Sequence, residues 1–187
     1  MRTYLFIGII LLVSFQGFSQ EQGLSNKEKR KLEKELKKEH EAELAEQKAV
    51  ITGLMVEYQR FVLEAEKLRD KRGNSVNVPA MINFIASDSI NGVIQIGSDR
   101  YVGLNGVGGI TIEGPISQYK YTYSEKNGSY NVNYQIQSSM GTYFVRMLVQ
   151  ASGRADATVS SSWPGKVNYL GDLVPLSQSS VYKGTSY

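Results

Sequence analysis

From Asn83 to Leu170 the chain keeps reversing direction. Apolar residues recur at every second position in short runs, and the runs are separated by glycine- and asparagine-rich turns. Ile94 and Ile96 fall on one face with Gln95 opposite. Ile110 and Ile112 oppose Thr111 and Glu113, and Gly114-Pro115 is expected to end that strand. Tyr119, Tyr121 and Tyr123 share a face opposite Lys120 and Thr122. After a turn at Asn127-Gly128, Tyr130, Val132, Tyr134 and Ile136 return against Asn131, Asn133 and Gln135. A period of two held this long, with no helical run between strands, excludes a parallel α/β sheet and specifies antiparallel pairing.

The remaining runs complete the count. Ser75 to Val78 is a short extended piece stopped by Pro79, and Asn83 to Ala86 is a strand. Asn91-Gly92 supplies the positive φ values of a hairpin. Thr142 to Ala151 is apolar on both faces, with Tyr143, Val145, Met147 and Val149 against Phe144 and Leu148, and is expected to be central. Arg154 to Ser160 turns Ala155, Ala157 and Val159 inward. Val167 to Leu170 is the last clear strand, and Val181 to Lys183 is a further extended piece. Eight or nine short strands with tight turns predict a mainly β body, either an antiparallel β-sandwich or a small barrel.

Three segments follow from the patterning: a signal peptide over 1–19, a charged helical arm over 20–58 and a β domain over 59–187. Arg2, the apolar run from Tyr4 to Phe15 and the small residues Gly17 and Ser19 specify cleavage after Ser19. The protein is therefore expected in the periplasm or outside the cell, with no stable membrane anchor after cleavage. Ser25-Asn26-Lys27-Glu28 is a capping box that starts a helix running to about Tyr58. Its first half is mostly Lys, Glu and Arg. Leu32, Leu36 and Leu44 do not keep a heptad, so a coiled coil is the lesser expectation there. Ile51, Leu54, Met55 and Tyr58 are placed to dock on the β body. Gln59 to Leu68 fits a strand with Phe61, Leu63 and Ala65 on one face, and equally a continuing helix.

Composition narrows the chemistry. The chain of 187 residues has no cysteine and one histidine, His40. Disulfides, thiolate metal sites and a thiol nucleophile are excluded, and a triad or multi-histidine metal site is not available. A formal charge of +3, unclustered, gives no nucleic-acid surface. No cofactor motif is present. The glycine-rich stretch Gly103 to Pro115 lacks the Gly-Lys-Ser/Thr and the following helix of a phosphate loop, and lacks the strand and helix that frame a dinucleotide fingerprint. Its glycines are better explained by close backbone approach. Arg100, Tyr101 and Asn105 in this loop are the candidate ligand contacts. Asp99 and Glu113 are the one carboxylate pair that a hydrolase would use. The tyrosine ladder is either a stacking surface or core packing.

Arg60-Phe61-Val62-Leu63-Glu64-Ala65, Gly73-Asn74-Ser75-Val76-Asn77-Val78, Asn83-Phe84, Gly103-x-x-Gly106-Val107-Gly108-Gly109-Ile110-Thr111-Ile112-Glu113-Gly114 and Ser180-Val181-Tyr182-Lys183-Gly184 together resemble a family of secreted Bacteroidota proteins known only as a domain of unknown function. The resemblance spans about Glu46 to Tyr187. It implies an all-β periplasmic body in which Phe61 to Lys67 is the first strand, and it implies no activity. Asp88-Ser89-Ile90 resembles the O-glycosylation acceptor of such bacteria, which makes Ser89 a candidate modification site. The expectation for function is a non-catalytic binding or assembly module. Its partner would be a protein, a glycan or a small apolar ligand, the last carried in a barrel cavity.

Overall fold

The computed structural model of the protein describes residues 25–186, apart from 101, 104 and 162–164. The expected leader with its cut after Ser19, Tyr101 and the lone tryptophan, Trp163, lie outside the described residues. The chain divides into two compact units, one ending at Glu39 and one spanning His40–Tyr187. The division falls inside a single helix, α1, Asn26–Glu57.

In the first unit the described residues are helical and exposed from Asn26 to Glu39. The capping box forms as expected at its carboxylate: the Ser25 backbone N–H donates to Glu28 Oε2 at 2.9 Å. The Ser25 hydroxyl accepts from Lys27 N at 3.4 Å.

The second unit is a closed barrel. Its strands are β1 (Arg60–Asp70), β2 (Ser75–Asn77), β3 (Phe84–Asp88), β4 (Asn91–Ile96), β5 (Ile110–Ser124), β6 (Ser129–Ser138), β7 (Gly141–Gln150), β8 (Arg154–Ser161) and β9 (Lys166–Pro175). All pairings are antiparallel. From β3 to β9 each strand pairs with the next, and β9 returns to β1 from Phe61↔Pro175 to Asp70↔Val167. Eight strands thus close the barrel, and β2 adds a short ninth beside the far half of β1. The choice between sandwich and barrel falls to the barrel, because β1 is hydrogen-bonded along both edges and leaves no seam. The ambiguous segment is strand β1, and Phe61, Leu63 and Ala65 all enter the core.

An interior of eight strands is just wide enough to be filled by its own side chains. Phe61, Leu63, Ile85, Ile94, Val132, Ile136, Val145 and Tyr169 fill it and are almost fully buried. Each side chain of this size contributes roughly 1.5–3 kcal/mol by leaving water. The last turns of α1 close one end: Met55 and Val56 join the core, and Tyr119 Oη donates to the Val56 carbonyl at 2.7 Å. Gln59 then takes φ 57°, the left-handed residue that ends the helix and turns the chain into β1.

Several expectations change in detail. Ile51, Leu54 and Tyr58 do not dock; Thr52, Met55 and Val56 do, so the helix presents a different face to the barrel. Gly114-Pro115 does not end its strand. β5 runs through it, because Asn91↔Pro115 is the last pair with β4 and pairing with β6 begins one residue later at Ile116↔Ile136. The missing proline N–H therefore breaks no ladder bond. Strand β7 is central in the sense of being paired on both edges. Its second apolar face is not covered, since Phe144 and Leu148 stay exposed. At the β3–β4 turn the left-handed residue is Ser89 rather than Asn91, which already belongs to β4. Residues 176–186 form no strand.

Candidate functional site

Two places on the barrel carry unusual chemistry: the outer face under the C-terminal segment, and the barrel mouth opposite α1.

On the outer face, Glu64, Phe84, Gln95 and Thr111 are opposite one another in register on β1, β3, β4 and β5. They form one row across the sheet. Each sits between inward neighbours, so each points out of the barrel. Yet Phe84, Gln95 and Thr111 are fully buried. The cover is the segment after β9, which crosses this row. Ser179 Oγ donates to Glu64 Oε1 at 2.7 Å. Gln95 Nε2 donates to the carbonyls of Tyr182 at 2.8 Å and Ile82 at 3.1 Å. Gln95 Oε1 accepts from Gly184 N at 2.8 Å and from Thr111 Oγ1 at 3.0 Å. One side chain thus spends both donors and both lone pairs on binding a strap to a barrel. A Cβ on Gly184 would collide with the Asn105 carbonyl and press on Val107 Cγ2, so only glycine fits where the strap passes the glycine loop.

The glycine loop lies at the same crossing. Asn105, expected as a ligand contact, is buried. Its Oδ1 accepts from Val107 N at 3.2 Å and Gly109 N at 3.1 Å, and its Nδ2 donates to Thr111 Oγ1 at 3.2 Å. Its amide is therefore occupied in shaping the loop. A Cβ on Gly109 would strike the Ile96 carbonyl, which accounts for that glycine by close approach. Arg100 remains exposed and lines an open groove of about 370 Å³ with Asp99, Met81, Val102 and Tyr182. The structure brings Arg100 and Asn105 to one loop, but only Arg100 faces solvent.

Glu113 accepts from Lys183 Nζ at 2.8 Å through both oxygens and from Ser186 Oγ at 2.9 Å. The Lys183 contact holds its carboxyl below the usual range. Both Glu113 oxygens are therefore engaged by the strap, while Asp99 lies exposed beside Arg100 in the glycine loop. Ser89 stands at an exposed hairpin tip with φ 82°, and Asp88 Oδ1 accepts from Ile90 N and Asn91 N at 2.9 and 2.6 Å. These amide contacts, Asn91 N foremost, also lower the Asp88 pKa. The tyrosine ladder splits. Tyr119 stacks on buried Tyr134 at 5.6 Å, whereas Tyr121 and Tyr123 stay exposed around Tyr130.

At the mouth opposite α1, the ends of β4, β5, β7, β8 and β9 leave a cavity of about 180 Å³. Ile94, Ile96, Ile110, Ile112, Val159 and Val167 line most of it, with Tyr143 and Tyr169. Tyr169 Oη donates to the Gln95 carbonyl at 3.4 Å, so its hydroxyl is turned away to the wall. Burial pushes that hydroxyl's pKa up, and it stays neutral. Sequence periodicity put Ile94 with Ile96 and Ile110 with Ile112 on common faces and Val159 inward, but could not show that the strands leave space between them.

This architecture has known counterparts. A family model described as a domain of unknown function, DUF4251, matches residues 42–173. The chain belongs to the DUF4251 family. The match takes in the second half of α1 and the barrel into β9, and stops before the strap. A crystal structure of a DUF4251 family protein from Bacteroides eggerthii DSM 20697 is similar at 26% identity with a TM-score of 0.60, covering 77% of this chain and 96% of that one. No curated protein matches. The resemblance drawn from the glycine loop is thereby established at the level of the family.

Proposed function

We propose that the protein is a non-catalytic binding module that acts outside the cytoplasm and takes a small apolar group, a single ring or the end of an alkyl chain, into the mouth of its barrel. The observation that carries this reading is the apolar cavity of about 180 Å³ beside Ile96, Ile110, Val159 and Val167. A dry cavity of about 150 Å³ with similar walls accepts a benzene-sized guest. Drug-sized ligands need about 300 Å³ or more, so the guest enters by one end only. The leader pattern of residues 1–19 supports export, and N-terminal sequencing of the mature protein is expected to begin at Gln20.

The test is calorimetric titration with straight-chain alkanoic acids of increasing length. Affinity is expected to rise with each methylene until the cavity is filled, by roughly a factor of four per CH₂ at about 0.8 kcal/mol. The Val159→Phe variant fills the cavity and is expected to abolish binding while retaining a cooperative thermal transition. Absence of saturable binding by the wild type, or unchanged binding by Val159→Phe, would refute the carrier reading.

A further inference from the structure

The barrel side of α1 uses Thr52, Met55 and Val56. The adjacent face of the same helix is apolar as well. Leu44, Ile51, Leu54 and Tyr58 are 43, 44, 47 and 62% exposed. With His40 and Gln47 they recur at intervals of four, three, four, three and four residues. That is a strict heptad seam, with Leu44, Ile51 and Tyr58 at a and His40, Gln47 and Leu54 at d. Leu36 and Leu32 fall outside this register, at g and c, so the seam starts at His40. The barrel leaves this face largely exposed, with only Ile51 and the neighbouring Lys48 bordering a groove shared with the β7–β8 turn and the end of β9.

We propose that this face pairs with the same face of a second copy of the chain, in a parallel two-stranded coiled coil. The charges beside the seam select that partner and that direction. Glu43 occupies position g and Lys48 the following e, and both are exposed. In a parallel pair, g of one helix faces the next e of the other. Two copies therefore form two Glu43–Lys48 ion pairs related by the dimer axis, and Gln47 faces Gln47. A self-complementary surface of this kind is what a two-fold interface requires. The seam from His40 to Tyr58 spans about 27 Å, some two and a half heptads, so the dimer is weak and concentration-dependent.

Sedimentation equilibrium of the purified protein, carried up to about 1 mM, is expected to show mass rising from monomer to dimer. Leu44→Glu with Leu54→Glu alters only exposed positions. This variant is expected to remain monomeric throughout, with the melting temperature of the dilute wild type. Glu43→Lys alone and Lys48→Glu alone are each expected to weaken the dimer several-fold, and the double exchange to restore it. A wild type that stays monomeric, or a dimer that survives Leu44→Glu with Leu54→Glu, overturns the proposal. A dimer that the double exchange does not restore overturns the parallel arrangement.

Discussion

Gln95→Leu is the most informative single change. The substitution keeps the volume of a fully buried side chain and removes four hydrogen bonds. Two of the abandoned partners, the Tyr182 carbonyl and the Gly184 N–H, belong to the strap. The other two, the Ile82 carbonyl and the Thr111 hydroxyl, belong to the barrel. Were all four to stay buried and unmatched, at about 1–3 kcal/mol each, the loss would exceed 4 kcal/mol. The strap has another option, since its own groups regain water when it lifts away. Release caps the loss, and an unfolding free energy lower by about 2–4 kcal/mol is expected from urea denaturation followed by circular dichroism. Release also exposes the bond after Lys183, so trypsin is expected to remove the tail much faster than from the wild type, as followed by mass spectrometry. A loss below about 0.5 kcal/mol with unchanged cleavage at Lys183 would show that Gln95 does not hold the strap.

Gly184→Ala is expected to release the strap as well, since its Cβ meets backbone at Asn105 that has no room to yield; the same cleavage assay checks it. Glu113 has a folded pKa below its ordinary 4.5, so its bond to Lys183 contributes fully above that value and is lost as pH falls through the lowered one. The stability difference between wild type and Glu113→Gln, below about 1 kcal/mol for so exposed a pair, should therefore shrink toward zero in urea titrations run at successively lower pH. Tyr119→Phe takes the donor from the Val56 carbonyl and is expected to cost about 1 kcal/mol. Its stacked neighbour should respond with the opposite sign: the Tyr134 hydroxyl is buried without a partner, so Tyr134→Phe is expected to be neutral or stabilising by about 1 kcal/mol in thermal melts.

The alternating runs were sufficient to specify the antiparallel body, because a half-buried strand must repeat at two. They carried less information about where strands join. The inward residues of β5 are Ile110, Ile112 and Ile116 before Ser117 and Tyr119 after it, a change from even to odd positions. The register with β6 slips between Ser117 and Lys120, and Gln118 has φ 54°, so one extra residue is bulged out there. That change of parity was a readable sign of a bulge within one strand. The buried outer row was not readable. Gln95 and Thr111 occupy the polar side of their strands, and alternation assigns that side to water. Only the path of residues 176–186, which have no periodicity, turns it into an interior. The second seam of α1 was present in the spacing from His40 to Tyr58, but the charged first half of the helix obscured it.

The union of β1 with β9 links segments about 100 residues apart in the chain, a long loop to close before any of its ladder bonds form. The meander from β3 to β8 can zip one hairpin at a time. The cylinder cannot shut until nearly the whole polypeptide is available, and until then β1 and β8 each present a bare edge. A chain truncated before Lys166 would keep both edges permanently and is expected to pair with its neighbours rather than with itself. The same arrangement brings Phe61 opposite Pro175, so a short linker could join the barrel's two ends and new termini could be opened at a distant hairpin without altering a single pairing.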